Sequence, residues 1–153
     1  MQHGCSRRIC IRNCRNALKS EEEIVMDQDA LKERTKRFAL EIIRLVESLP
    51  KGRTAEVLGK QLLRSGTSVG SNYRSACRAK SAADFISKMG IVEEEADETL
   101  YWIELLIESC LIKKDDVFDL LEEGNQLVAI AVSSIKTARR TRVCPPSNSH
   151  QKN

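Results

Sequence analysis

The sequence predicts an all-α protein folded as an antiparallel, up-down-up-down four-helix bundle. Apolar residues recur every three or four positions through most of the chain. Glycine and proline are scarce, at 7 and 3 of 153 residues, and aromatic residues make up only 4%. Few chain breakers and few aromatic residues favour helices over sheets. The short links between the periodic stretches then force neighbouring helices to run antiparallel.

The first two predicted helices form a hairpin around Pro50-Lys51-Gly52. The first runs from Asp27 to Ser48, because its apolar rhythm stops before that proline. The second runs from Thr54, which we expect to act as its N-cap, to about Ala79. Small residues at 65–71 weaken its middle, which predicts either a kink or a close contact with a neighbouring helix.

The third predicted helix, from Ser81 to about Cys110, is apolar on two sides. Ser81 and Asp84 form a variant of the capping box at its start. A stripe suited to the core begins at Phe85, and a second apolar side consists of Ile91, Trp102, Leu105 and Leu106. This second side is covered either by another subunit or by helices of the same bundle. A fourth helix runs from Asp115 or Asp116 to about Arg140.

Both chain ends are predicted to lie outside the bundle, which spans residues 27–140. Residues 1–26 form a basic, cysteine-containing extension without periodicity, which we expect to be disordered; alternatively, translation begins at Met26. Residues 141–153 contain two consecutive prolines and form a disordered C-terminal tail. The six cysteines are scattered, which favours a reducing, cytoplasmic compartment. Cys77 and Cys110 are expected to be small buried residues.

The strongest functional signal is a basic stripe on the second helix. At about 100° per residue, the five basic side chains of the stripe fall within roughly 80° of arc, opposite the apolar side of the helix. Glu56 is the one acid among them. A helix with an almost acid-free basic side is typical of proteins that bind a polyanion or an acidic partner. The stripe consists of Arg53, Lys60, Arg64, Arg74 and Arg78, and Lys88 at the start of the third helix extends it.

The stripe has a structural alternative, because the third helix carries an acidic row. This row consists of Glu93, Asp97, Glu104 and Glu108, which share about 60° of arc. The basic stripe and the acidic row pair with each other in this alternative, either within one subunit or across an interface. The acidic row is otherwise a solvated face.

No catalytic, metal-binding or cofactor-binding residues are predicted. The two histidines, His3 and His150, both lie in the predicted tails. No dyad of a nucleophile and a histidine is therefore available in the bundle. The sequence contains no phosphate-binding loop and no dinucleotide-binding fingerprint. No apolar run approaches the roughly 18 residues that span a membrane, so no membrane association is expected.

Residues 29–138 resemble the four helix bundle protein family, also called the 23S rRNA-intervening sequence protein family. The resemblance rests on segments 38–43, 61–72, 84–98 and 101–105. It implies a closed ring of subunits, a homopentamer, and similarity to the accessory protein of diversity-generating retroelements, a pentameric bundle associated with nucleic acid. This chain departs from the usual family pattern at 69–76, where Arg74 adds to the basic stripe.

The sequence therefore predicts a non-enzymatic oligomeric bundle that binds RNA or DNA through the basic stripe. Contact with the phosphate backbone should dominate, because residues able to stack on bases are scarce. The alternative function is an oligomeric scaffold in which the charged stripes serve contacts between subunits or with a protein partner.

Overall fold

The computed structural model confirms the four-helix bundle. It describes the backbone of residues 10–143 and the side chains of residues 28–140. The α-helices are α1 (Cys10–Ser48), α2 (Arg53–Ala76), α3 (Ala82–Glu108) and α4 (Phe118–Val143), and a 3₁₀ turn (Lys114–Val117) leads into α4. No strand occurs among the described residues. In the same part of the chain, no helix is both long enough and apolar enough to cross a membrane.

The first helix is longer than the sequence pattern predicts. It begins at Cys10 rather than near Asp27, and no glycine or proline interrupts the chain between Gly4 and Pro50. Without a chain breaker, nothing in the local sequence ends the helix earlier. Residues 1–9 and 144–153 lie outside the described residues, so disorder of these ends stays a prediction. Within the described residues, α1 continues through the boundary predicted at residue 26 and α4 through the one predicted at residue 140.

The second helix starts and ends earlier than predicted. Its N-cap is Gly52, which contributes no side-chain cap, so the assignment of Thr54 as the N-cap is wrong. The helix ends at Ala76, and Arg78 therefore lies in the turn that follows it. The helix is continuous through segment 65–71, where the small residues allow a close contact instead of a kink.

This close contact is made by glycines that face α1. A Cβ atom placed on Gly66 would lie 2.8 Å from two side-chain carbons of Ile42, and one on Gly70 would lie 3.4 Å from the carbonyl oxygen of Thr35. The distance at Gly66 is shorter than ordinary van der Waals contact, and the distance at Gly70 is at its lower limit. The backbones of α1 and α2 can therefore approach only because these positions lack side chains.

The third helix has well-formed caps at both ends. Ser81 Oγ accepts a hydrogen bond from the backbone N–H of Asp84, and Asp84 Oδ2 accepts one from the N–H of Lys80. The capping variant is thus confirmed, with the second bond made one residue before the N-cap. At the other end the chain reverses through Cys110, whose φ of 58° lies in the left-handed region. Cys110 is exposed, which corrects the expectation that it is buried.

The helices pack in chain order, α1 on α2, α2 on α3 and α3 on α4, while α1 and α4 touch over only a short stretch. Arg34 joins them there, with Nε 2.6 Å from Glu123 Oε1 and Nη2 2.8 Å from Oε2. The core lies between the apolar faces of the four helices. Its largest fully buried side chains are Phe38, Ile42, Leu62, Val69, Met89, Ile103 and Leu106.

Candidate nucleic-acid interface

The basic stripe lies on the outer face of α2. Its members are all exposed, whereas the opposite side of the helix is buried through Leu62, Val69 and Tyr73. The stripe is exposed because α1 packs against the glycine side of α2 and α3 packs against the side that bears Ser65. The members of the stripe are Arg53, Lys60, Arg64, Arg74 and Arg78.

Most of the stripe is electrostatically unpaired. Lys60 Nζ lies 2.7 Å from Glu56 Oε1, and Lys60 holds the pKa of that carboxyl below its usual value. Among the described side chains, the four arginines of the stripe form no ion pair. Lys88 differs from them, because it lies on α3 and pairs with Asp84 at 3.2 Å. The arginines are therefore the groups most available to an external anion.

A groove of 550 Å³ borders the stripe on the side of α1. Arg74 lines it together with Lys32 and Lys36, which are neutralised by Asp29 at 2.7 Å and Glu33 at 3.6 Å. The hydrogen bond to Asp29 raises the pKa of Lys32. This flank adds two basic side chains beside the stripe. Each of these lysines is already paired with a carboxylate of its own helix.

The other flank, toward α3, is acidic. Desolvation raises the pKa of Glu95, the neighbouring charge of Glu98 raises it further, and the positive charge of Arg64 lowers it. Arg64 therefore lies within electrostatic range of Glu95, without a direct ion pair. Because α3 carries eight carboxylates and one lysine, this flank repels an anionic ligand.

The predicted acidic row does not meet the basic stripe within the bundle. Glu104 and Glu108 line a groove of 500 Å³ with Phe118 and Leu121 of α4, which places them on the side of α3 away from α2. Within the described residues no ion pair joins α2 to α3. Pairing of the stripe with the row inside one subunit is thus wrong, and pairing across an interface stays a prediction.

The second apolar side of α3 is partly exposed. Ile91 is 40% exposed, Trp102 and Leu105 are half-buried, and Leu106 is fully buried. Assignment of Leu106 to a subunit interface is therefore wrong for this chain. The error arises because α3 lies between α2 and α4 and so buries a wider arc than a single stripe. Tyr101 also belongs to this outer face, because it is 52% exposed and packs edge-on against Trp102. The sequence pattern does not identify it.

A groove of 590 Å³ follows the seam between α1 and α4. Phe38 and Val117 are among its apolar residues, Arg37 and Arg44 lie on the α1 wall, and Asp119 lies on the α4 wall. In the part of the chain with described side chains, no cluster of three or more residues is arranged to hold a metal ion.

These features define the class of the molecule, a helical bundle with one basic outer face and one acidic, partly apolar outer face. The model of the 23S rRNA-intervening sequence protein family matches residues 27–133, and the chain belongs to this family. It is similar to a solved protein of unknown function from the S23 ribosomal protein family of Bacteroides thetaiotaomicron. The two are 39% identical with a TM-score of 0.65, over 69% of this chain and 97% of the other. No protein with a curated description matches the chain.

Proposed function

We propose that this protein is a non-enzymatic, homo-oligomeric bundle that binds nucleic acid through the basic stripe of α2. The observation that supports the proposal is the set of exposed arginines on one helix face without ion-pair partners among the described side chains. Arginines in this state neutralise phosphates and release counterions, which stabilises binding without reading the base sequence.

Oligomerisation would strengthen this binding. The family resemblance implies a homopentamer, and several copies of one modest stripe on a single particle raise the overall affinity through avidity. The exposed Ile91 and Tyr101 on the outer face of α3 support a contact between copies, since aromatic residues are enriched where proteins dock.

The test is fluorescence anisotropy of labelled RNA and DNA at two salt concentrations. We expect binding that weakens steeply with salt and does not depend on sequence. The variant Arg64→Glu/Arg78→Glu should lose most of it, whereas Lys113→Glu/Lys136→Glu makes the same change in net charge at exposed positions off the stripe and should retain it. Equal losses in the two variants would show that overall charge, not the stripe, drives binding. Unchanged binding in the first variant would remove the stripe from the proposal.

A second candidate function is an oligomeric scaffold whose charged faces hold subunits together. It is favoured by the acidic and partly apolar outer face of α3, which has the opposite charge to the outer face of α2. Under this alternative, Arg64→Glu/Arg78→Glu breaks the oligomer, which light scattering after gel filtration measures as a fall in mass. Under the nucleic-acid proposal the mass stays constant while binding is lost.

A further inference from the structure

The unpaired arginines of α2 are spaced widely and regularly. Lys60 is neutralised by Glu56 at 2.7 Å, which leaves Arg53, Arg64 and Arg74 as the charged positions within the helix. They are separated by eleven and ten residues, or about 16 Å and 15 Å at 1.5 Å per residue. The two intervals are about 3.1 and 2.8 turns at 3.6 residues per turn, so the three arginines lie within about 80° of arc on the outer face of the helix.

We infer that the ligand of this site is a double-stranded nucleic acid that lies along α2, an inference that rests on the proposed function. Consider a line drawn along the surface of a duplex, parallel to the duplex axis. The two sugar-phosphate backbones cross this line alternately. With a helical repeat of about 34–36 Å, successive crossings lie about 17 Å apart on average. The three arginines, which span about 31 Å of helix, therefore meet three successive backbone crossings within one duplex turn.

The reach of the arginine side chains accommodates the unequal grooves. The major groove of B-form DNA is about 12 Å wide and the minor groove about 6 Å, so the crossings are not evenly spaced. Each guanidinium stands on a flexible stem and can shift along the helix by several ångströms. Arg78, in the turn that follows α2, doubles the charge at the end near Arg74.

A single strand fits the same spacing poorly. Within a duplex each strand places a phosphate every ~3.4 Å along the axis, and even a stretched strand keeps its phosphates far closer than 15 Å. Several phosphates would therefore lie between two arginines without a cation. Single-strand sites also use exposed aromatic residues for stacking, and the aromatic residue of α2, Tyr73, is buried on the opposite face.

Two hydroxyl residues between Arg64 and Arg74 direct their protons into the helix. Thr67 Oγ1 donates to the carbonyl oxygen of Leu63 at 2.7 Å, and Ser71 Oγ donates to that of Ser68 at 3.1 Å. With their protons committed to the helix, these two hydroxyls do not donate to base edges, and they leave a surface of short side chains that also lines the groove bordered by Arg74. Such a surface can span a groove while the arginines on either side contact the two backbones, which makes the site a reader of duplex shape.

The experiment compares labelled duplexes of about two helical turns with their own single strands, in both DNA and RNA, using the full chain. We expect each duplex to bind at least about tenfold more tightly than its strands at the same salt concentration, with DNA and RNA arms identifying the preferred form. Single strands that bind as tightly as duplexes would overturn this inference and leave the proposed function standing. No binding to any of the four probes would overturn the proposed function.

A gain-of-charge variant provides a second test. Thr67→Lys/Ser71→Lys fills the interval between Arg64 and Arg74 with cations, at the half-buried Thr67 and the exposed Ser71. We expect it to raise single-strand affinity more than duplex affinity, which narrows the preference. An equal rise for both probes would show that the spacing does not discriminate between them. The matched control places two lysines away from the stripe, at the exposed positions Asn125 and Ser133 of α4.

Discussion

Thr99 Oγ1 donates a 3.1 Å hydrogen bond to Ser65 Oγ across the interface between α2 and α3. Both residues are buried, with exposures of 0% and 1%, and each hydroxyl also lies within hydrogen-bond distance of a carbonyl oxygen of its own helix. A buried polar pair is stable only when the two helices are in one register. The register of α2 on α3 also fixes the distance between Arg64 and the carboxylates of α3.

We predict that Thr99→Val destabilises the protein by about 1 kcal/mol, the usual net value of one hydrogen bond. The loss stays small because Ser65 Oγ retains the carbonyl oxygens of Gln61 and Leu62 as partners. Urea unfolding of Thr99→Val, Ser65→Ala and the double variant measures the coupling between the two hydroxyls. Strict additivity would show that the contact contributes nothing to stability.

Gly66→Ala should destabilise the bundle by about 1–3 kcal/mol, as expected of an overpacked core. Its Cβ would lie 2.8 Å from two carbons of the fully buried Ile42, so the two helices would have to separate. Gly90→Ala is the matched control, because nothing lies within 4 Å of that Cβ. We expect the control to stabilise α3 by about 0.5–1 kcal/mol through helix propensity. Thermal unfolding that moves both variants in the same direction would contradict the close contact.

Cys110→Gly should stabilise the protein by about 0.5–1 kcal/mol, because a side chain is strained in the left-handed conformation. Cys110 N–H donates to the carbonyl oxygen of Ile107 and Leu111 N–H to that of Leu106, at 2.9 and 3.0 Å, which is the helix ending that favours glycine. Cys110→Ala retains the strain and serves as the control. Chemical unfolding under reducing conditions should show no gain for alanine.

Glu95→Gln should stabilise the protein at pH 7. The pKa of Glu95 is raised above its usual value of 4.5, mainly by desolvation. The folded state therefore holds this proton more tightly, and stability falls as the pH rises through the raised pKa. Glutamine removes that loss at neutral pH, and the gain should shrink as the pH falls towards 4.5 and below. Urea unfolding at pH 7 and at pH 4.5 measures the gain in the free energy of unfolding. An equal gain at the two pH values would contradict the raised pKa of Glu95.

The same variant should also bind nucleic acid more tightly. Glu95 lies within electrostatic range of Arg64, so its negative charge opposes an anionic ligand on the stripe. Anisotropy at low and high salt should show the gain mainly at low salt, because salt screens this repulsion. Glu122→Gln, on the exposed surface of α4, is the control and should leave the affinity unchanged.

The sequence predicts the helices well because their apolar periodicity is strong and their breakers are few. Met89, Val92 and Ile103, which continue the apolar stripe that begins at Phe85, are all buried. The errors fall where tertiary packing decides the outcome. Leu106 is buried because α3 has neighbours on two sides, and Cys110 is exposed because a tight helix ending places it outside the core.

The exposed position of the stripe was also predictable, since it depends on helical phase alone. The chemical character of its flanks was not. The electrostatic contact of Arg64 with Glu95 and the groove shared by Arg74 and Lys32 depend on how α1 and α3 pack against α2. Only the fold shows that one flank of the stripe is acidic while the other carries lysines already paired on α1.

The thin contact between α1 and α4 has a consequence for how the molecule reaches its native state. Nearly all of the bundle is built from helices adjacent in sequence, and the one closure that joins distant parts of the chain rests on a short stretch around Arg34 and Glu123. Proteins dominated by such local contacts fold in microseconds to milliseconds. We therefore expect the α1–α4 seam to form late in folding and its amide protons to exchange earlier than those of α2 and α3.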